Sequence, residues 1–137
     1  MALLNDARNY LQQAYYINAL IDCKLEQVTA LRAIATKATS TMHTTPGGKY
    51  SNDSMADVIA KIVDLEAEIN ADIDKLVDLK RDIGAKINAV ESPMHRLVLD
   101  KRYLCFKSWE QIAVDMGYTI RRVYQLHDEA AQRIKLQ

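Results

Sequence analysis

One run of positions constrains this chain more than any other. Met55, Ile62, Ile69, Leu76, Ile83 and Val90 recur every seven residues without a miss. An apolar repeat of seven keeps one stripe of an α-helix turned toward a partner. Val58, Leu65 and Leu79, and then Ile59, Ile73 and Ile87, widen that stripe. The pattern predicts a helix capped by Asp53 or Ser54 and running to about Val90. Upstream, Leu3 to about Thr39 reads as a second long helix. Leu4, Leu11 and Leu25 form one of its columns, and Ala7, Ala14, Ile21, Val28 and Ala35 another. Leu3, Tyr10, Ile17 and Leu31 add a third, while Asn18 and Arg32 interrupt the first. Between the two helices, residues 40–53 are rich in Ser and Thr and contain Pro46-Gly47-Gly48, which is loop chemistry.

Two helices of nearly 40 residues joined by a loop predict an antiparallel, coiled-coil-like hairpin over residues 1–91, on the order of 55 Å long. Each apolar stripe is wider than a two-helix seam requires. The excess face is expected to pack on the C-terminal part or on a second chain, which makes a homo-oligomer the expectation. Few aromatics, four Gly and two Pro agree with an all-α protein.

The net charge of zero hides an asymmetry. Residues 1–92 carry 10 Lys/Arg against 13 Asp/Glu, and residues 93–137 carry 8 against 5. Contact with a polyanion is therefore expected at the C-terminal end. Cys23 and Cys105 lie far apart with no CxxC spacing, so both are expected to be reduced apolar fillers. No basic leader with an apolar core and no membrane-length apolar run occurs, so the expected place is the cytoplasm, away from membranes.

The C-terminal residues 92–137 read as a chain of short capped helices. Ser92-Pro93 has the form of an N-cap followed by Pro at the first helical position, opening a helix Pro93–Leu104. Ser108-Trp109-Glu110-Gln111 has capping-box form and starts a helix through Met116. Gly117 suits a left-handed turn, and Thr119 caps a last helix from Ile120 to about Lys135. Its inward side is expected to be Val123, Leu126, Ala130 and Ile134. Ala113, four residues before Gly117, is small enough for the two helices to cross closely. A short helix, a tight turn and a second helix make the helix-turn-helix arrangement that places its second helix in the major groove.

Arg102-Tyr103, Ser108-Trp109-Glu110-Gln111-Ile112-Ala113, Gly117-Tyr118-Thr119, Arg122-Val123, Gln125-Leu126 and Ala130 resemble region four of bacterial sigma factors. They resemble still more the small sigma-like transcriptional regulators of phages and prophages related to RinA and ArpU. Those proteins also carry an N-terminal helical hairpin. Gly47-Gly48-Lys49, Asp53, Met55-Ala56-Asp57 and Lys61-Ile62-Val63-Asp64-Leu65-Glu66 are similar to that part, more loosely. The resemblance implies binding to double-stranded DNA, with Arg122 and Gln125 in the positions that reach the groove. It also implies RNA polymerase as a second partner. Ile120, Tyr124 and His127 depart from the family pattern, so the sigma promoter sequence does not carry over.

The residues point the same way on their own. With Val123, Leu126 and Ala130 turned inward, Arg121, Arg122, Tyr124, Gln125 and Asp128 are expected to face outward. Arg can take guanine O6 and N7 bidentately, and Gln can pair similarly with adenine. Thr119 offers its hydroxyl and N–H to a phosphate at a helix N-terminus. Lys107, with Lys101 and Arg102, is expected to flank the site as a phosphate contact. His43, His95 and His127 lie in three different segments, so no metal site or other cofactor is expected. Gly47-Gly48-Lys49 lacks the first Gly and the Ser/Thr of a phosphate loop. Trp109 is expected to pack rather than stack on bases. No enzyme is expected. The rival expectations are a protein-docking module that reads no bases and a small-terminase-like packaging component.

Overall fold

A computed structural model describes the backbone of residues 2–44 and 52–136. These residues are helical, with no strand among them. The helices are α1 (Ala2–Thr44), α2 (Asn52–Asn88), α3 (Pro93–Leu99), α4 (Trp109–Met116) and α5 (Ile120–Gln132), with a π-helical segment, Asp100–Leu104, continuing α3. Among the described residues no helix is long and apolar enough to cross a membrane.

The long helices depart from their expected bounds, and α2 ends at Asn88, short of Val90. α1 continues to Thr44 rather than stopping near Thr39, and α2 begins at Asn52. Asp53 and Ser54 therefore lie inside the first turn of α2 and are not its cap. The expected turn at Pro46-Gly47-Gly48 falls outside the described residues.

The chain divides into two compact units, Asn18–Lys75 and Met1–Ile17 with Leu76–Gln137. In the first, α1 and α2 run antiparallel. Lys24 Nζ meets Asp72 at 2.6 Å and Arg32 Nη2 meets Glu66 at 3.1 Å, so partner numbers fall along α2 as they rise along α1. Ile21 and Val28 are buried here, as are Ile62, Leu65 and Ile69. The seven-residue column thus forms the seam, whereas Ile59 and Ile73 from the widened stripe stay exposed.

In the other unit, Ala7, Leu11 and Ala14 of α1 join Ile83, Ile87 and Val90 in one core with Leu99, Tyr103, Ala130, Ala131 and Ile134. The compact units thus do not follow a division at residue 91, because the C-terminal helices share their core with hairpin residues. Three of these positions on α1 are the Ala and Leu of the expected columns, so part of the excess apolar face is covered by the chain itself. α3 and α4 both pack on α5.

The connection from α3 to α4 has its own logic. Ser92 Oγ accepts from the His95 N–H at 3.4 Å, with Pro93 at the first position. The helix then widens: Cys105 N–H reaches Asp100 O at 3.0 Å, a five-residue step, and Lys107 N–H reaches Lys101 O at 3.0 Å. Phe106 stops it with φ 56°, left-handed backbone that an aromatic side chain adopts at a penalty. Its ring is held edge-on by Tyr15 at 6.0 Å and beneath Lys80 Nζ at 4.6 Å.

Leu11 is fully buried in the shared core. Leu11→Ala should destabilise this unit by about 2–5 kcal/mol, read as a lower urea midpoint in the fluorescence of Trp109, the single tryptophan. An unchanged midpoint would mean that the C-terminal helices hold together without α1.

Candidate nucleic-acid interface

α4 starts where Ser108 Oγ accepts from the Gln111 N–H at 3.1 Å. The return half of the expected capping box, Gln111 Oε1 accepting from the Ser108 N–H, does not form; the Gln111 side chain runs along the helix, its Nε2 donating to Asp115 Oδ1 at 2.7 Å. α4 ends at Gly117, whose φ of 71° is left-handed. There Tyr118 N–H reaches Ala113 O at 3.0 Å, and Gly117 N–H reaches Val114 O at 3.3 Å, satisfying carbonyls the helix leaves open. Two residues later Thr119 Oγ1 accepts from the Arg122 N–H at 3.1 Å and caps α5. Ile112, Ala113 and Val123 are buried together between α4 and α5, with Trp109 and Met116 against them.

α5 ends at Gln132 rather than near Lys135; Val123, Leu126 and Ala130 of its inward side are buried as their spacing indicates, and Ile134, just past the helix end, is buried with them. Sequence reasoning missed two further members of that side, Ala131 and His127. His127 is 0% exposed. Its Nδ1 lies 3.1 Å from Asp128 Oδ1, and its Nε2 lies 2.5 Å from the Tyr103 hydroxyl. A carboxylate only accepts, so Nδ1 donates to Asp128; burial favours the neutral ring, and in that form Nε2 accepts from the Tyr103 hydroxyl. Burial pushes the imidazole pKa below its ordinary value and pushes the Tyr103 phenol up to about 12. Arg8 of α1 completes the chain by donating to Asp128 Oδ1 at 3.2 Å. The Trp109 ring stands edge-on to His127 at 4.9 Å. The signal was present in the sequence: position 127 follows Val123 by four and precedes Ala130 by three, the spacing of one helical face.

A second imidazole ties α3 to the far half of α5. His95 Nδ1 accepts from Arg133 Nη1 at 3.1 Å, and Nε2 lies 3.0 Å from Glu129. The hydrogen bond from His95 holds the Glu129 carboxyl below its usual range.

Of the residues expected to meet DNA, Thr119, Arg121, Arg122, Tyr124 and Gln125 come together at the exposed N-terminal half of α5. Arg122 Nη1 reaches Gln125 Oε1 at 3.4 Å, so the two positions expected to reach the groove stand side by side. Arg121 has no hydrogen-bond or ion-pair partner among the described residues. Tyr124 is less free, since its ring rests on Trp109 with centroids 5.0 Å apart. Trp109 packs as expected, between Tyr124 and the Arg102 guanidinium at 4.3 Å. Lys107 is committed elsewhere. Its ammonium meets Asp115 at 2.7 Å, Lys101 meets the same carboxylate at 3.2 Å, and Arg102 donates to the Lys107 carbonyl at 3.0 Å. These donors hold the Asp115 carboxyl far below its usual range. The flanking cations are therefore partly neutralised, whereas Arg121 and Arg122 make no ion pair among the described residues.

Among the described residues no cluster of His, Cys, Asp or Glu could hold a metal ion. Comparison with protein-family models, with curated proteins and with solved structures gives no match.

A folded-state imidazole held below its ordinary value near 6.5 leaves the unfolded chain binding more protons. Stability should therefore fall as pH drops from about 7.5 to 5.5, before carboxylates near pKa 4 titrate. His127→Gln should flatten that slope in urea titrations, whatever it costs at neutral pH; an unaltered slope would place the titrating group elsewhere. At Gly117 a Cβ meets nothing within 4 Å, so only the backbone angle opposes substitution. Gly117→Ala should lose about 1 kcal/mol, and Gly117→Asn less, by thermal melting.

Proposed function

We propose that this protein is a sequence-specific transcriptional regulator of the phage type that binds double-stranded DNA, with α5 in the major groove. The observation that carries this reading is the division of α5 into two faces. The inner face is fixed by apolar packing and by the His127 hydrogen bonds, while the outer face presents Arg121, Arg122 and Gln125 to solvent. Base reading needs side chains held in register on a rigid element, with donors left free to reach base edges. In this reading Thr119, which caps the helix, would offer its hydroxyl to a backbone phosphate, and α4 would take the part of the first helix, which crosses the DNA backbone. The resemblance to sigma region four supports the same use and adds RNA polymerase as a second partner in a bacterial cytoplasm. Nothing in this role calls for catalysis or a cofactor.

A docking module that reads no bases is the second reading, and one observation favours it. Val114 on α4 is 74% exposed, with Tyr118 and Ile120 also exposed around the turn. A surface of that kind suits a protein as well as a duplex.

The full-length protein is the material for the test, since residues 92–137 share their core with α1. After selection of bound sites from random duplexes, Arg122→Ala and Gln125→Ala should each lose about 1–3 kcal/mol on the selected site and relax its base preference. Arg121→Ala should weaken all duplexes alike and lower the salt slope by about 1. Lys107→Ala should act less than Arg121→Ala, because Asp115 already holds its charge. Equal losses on selected and random duplexes would rule out base reading; no duplex binding at low salt, with RNA polymerase still bound, would favour the docking module.

A further inference from the structure

Within the unit Asn18–Lys75, α2 carries a second stripe besides the one buried against α1. Ile59, Val63, Glu66, Asn70 and Ile73 are spaced four, three, four and three residues apart. Ile59, Val63 and Ile73 are 52%, 58% and 41% exposed, and the two polar residues between them are exposed as well. This is the spacing of a helix-packing seam with two polar residues at its centre, the arrangement that fixes register in coiled coils. On α1, Leu25 and Arg32 lie seven residues apart on the same side of the hairpin. There a groove between the two helices is lined by Leu25, Arg32, Glu66 and Asn70, with the core residues Val28 and Ile69 at its base.

We propose that this side of the hairpin binds a second copy of the same chain, forming a four-helix seam. The polar centre identifies the occupant. Arg32 and Glu66 stand level with one another on antiparallel helices, 3.1 Å apart and both well exposed. A two-fold rotation about an axis along the hairpin lays α1 of one copy over α2 of the other. It brings Arg32 of each copy to Glu66 of its partner, so the same pair of charges is satisfied twice. The same rotation places Leu25 over Ile73, because in antiparallel helices seven residues back from Arg32 matches seven forward from Glu66. A surface that satisfies its own charges under a two-fold is the mark of an isologous interface. A foreign helix would have to supply the opposite pattern. The inference stands apart from DNA reading and holds whether or not α5 binds a duplex.

The test is sedimentation of the full-length protein across the micromolar range. Wild type should approach twice the 15.5 kDa of one chain. Val63→Asp and Ile73→Asp sit at exposed positions and should give monomers with unchanged helix content and melting of Trp109 fluorescence. Arg32→Glu alone sets two carboxylates against each other across the seam, and Glu66→Arg alone sets two guanidinium groups there, so each variant should be monomeric. Mixed, the two variants should form a one-to-one dimer, because both cross-pairs become opposite in sign. A wild type that stays at 15.5 kDa, a dimer that survives Val63→Asp, or single-charge variants whose mixture gains no mass would each overturn the proposal.

Discussion

A buried imidazole with both nitrogens satisfied sets the geometry of everything the C-terminal helices present. His127 accepts a hydrogen bond from Tyr103 on one side and donates one to Asp128 on the other, and Arg8 anchors Asp128 from α1. The four residues come from α1, the π-helical segment and α5, with Trp109 of α4 edge-on to the ring. Removing one partner would leave a polar group unpaired in the core, which is more damaging than the bond itself is stabilising. α5 is therefore held in one rotation about its own axis. That rotation decides which side chains face solvent, Arg121, Arg122 and Gln125 among them.

The C-terminal helices also depend on residues of the hairpin. Short helices of eight and thirteen residues bury too little apolar surface to stand alone. Ala7, Leu11 and Ala14 supply the missing layer, buried in one core with Ala130 and Ala131. The π-helical widening and the left-handed Phe106 then turn the chain from α3 into α4. Tyr15 and Lys80 hold Phe106 there, so hairpin residues also stabilise the bend that leads into α4.

Much of this was legible in the sequence because its causes are local. Ser92-Pro93, Ser108, Gly117 and Thr119 mark helix ends through their own backbone and side-chain chemistry, and each sits where that chemistry requires. The seven-residue column marked the seam of the long helices. What stayed hidden depends on partners distant in sequence. The spacing of His127 from Val123 and Ala130 marks it as inward, but its hydrogen-bond partner Tyr103 and the Arg8 anchor on Asp128 are visible only in the fold. Lys107 reads as a free cation until Asp115, eight residues on, captures it. Gln111 fits a capping box until the same Asp115, one turn away, takes its amide. Phe106 gives no local hint of positive φ, because only its packing partners stabilise it. The C-terminal end of α1 and the start of α2 lie beyond the apolar periodicity because polar residues there continue each helix, whereas at the other end of α2 the apolar Val90 lies past the last helical residue.

If the outer face of α5, held in place by the inner network, is the surface that meets DNA, a duplex should shield it. Backbone amide exchange of the full-length protein, with and without a short random duplex at low salt, tests this most directly. Protection should concentrate at residues 117–125, spread weakly over α4, and be reversed by added salt. A footprint confined to α1 and α2, or none at all, would contradict it.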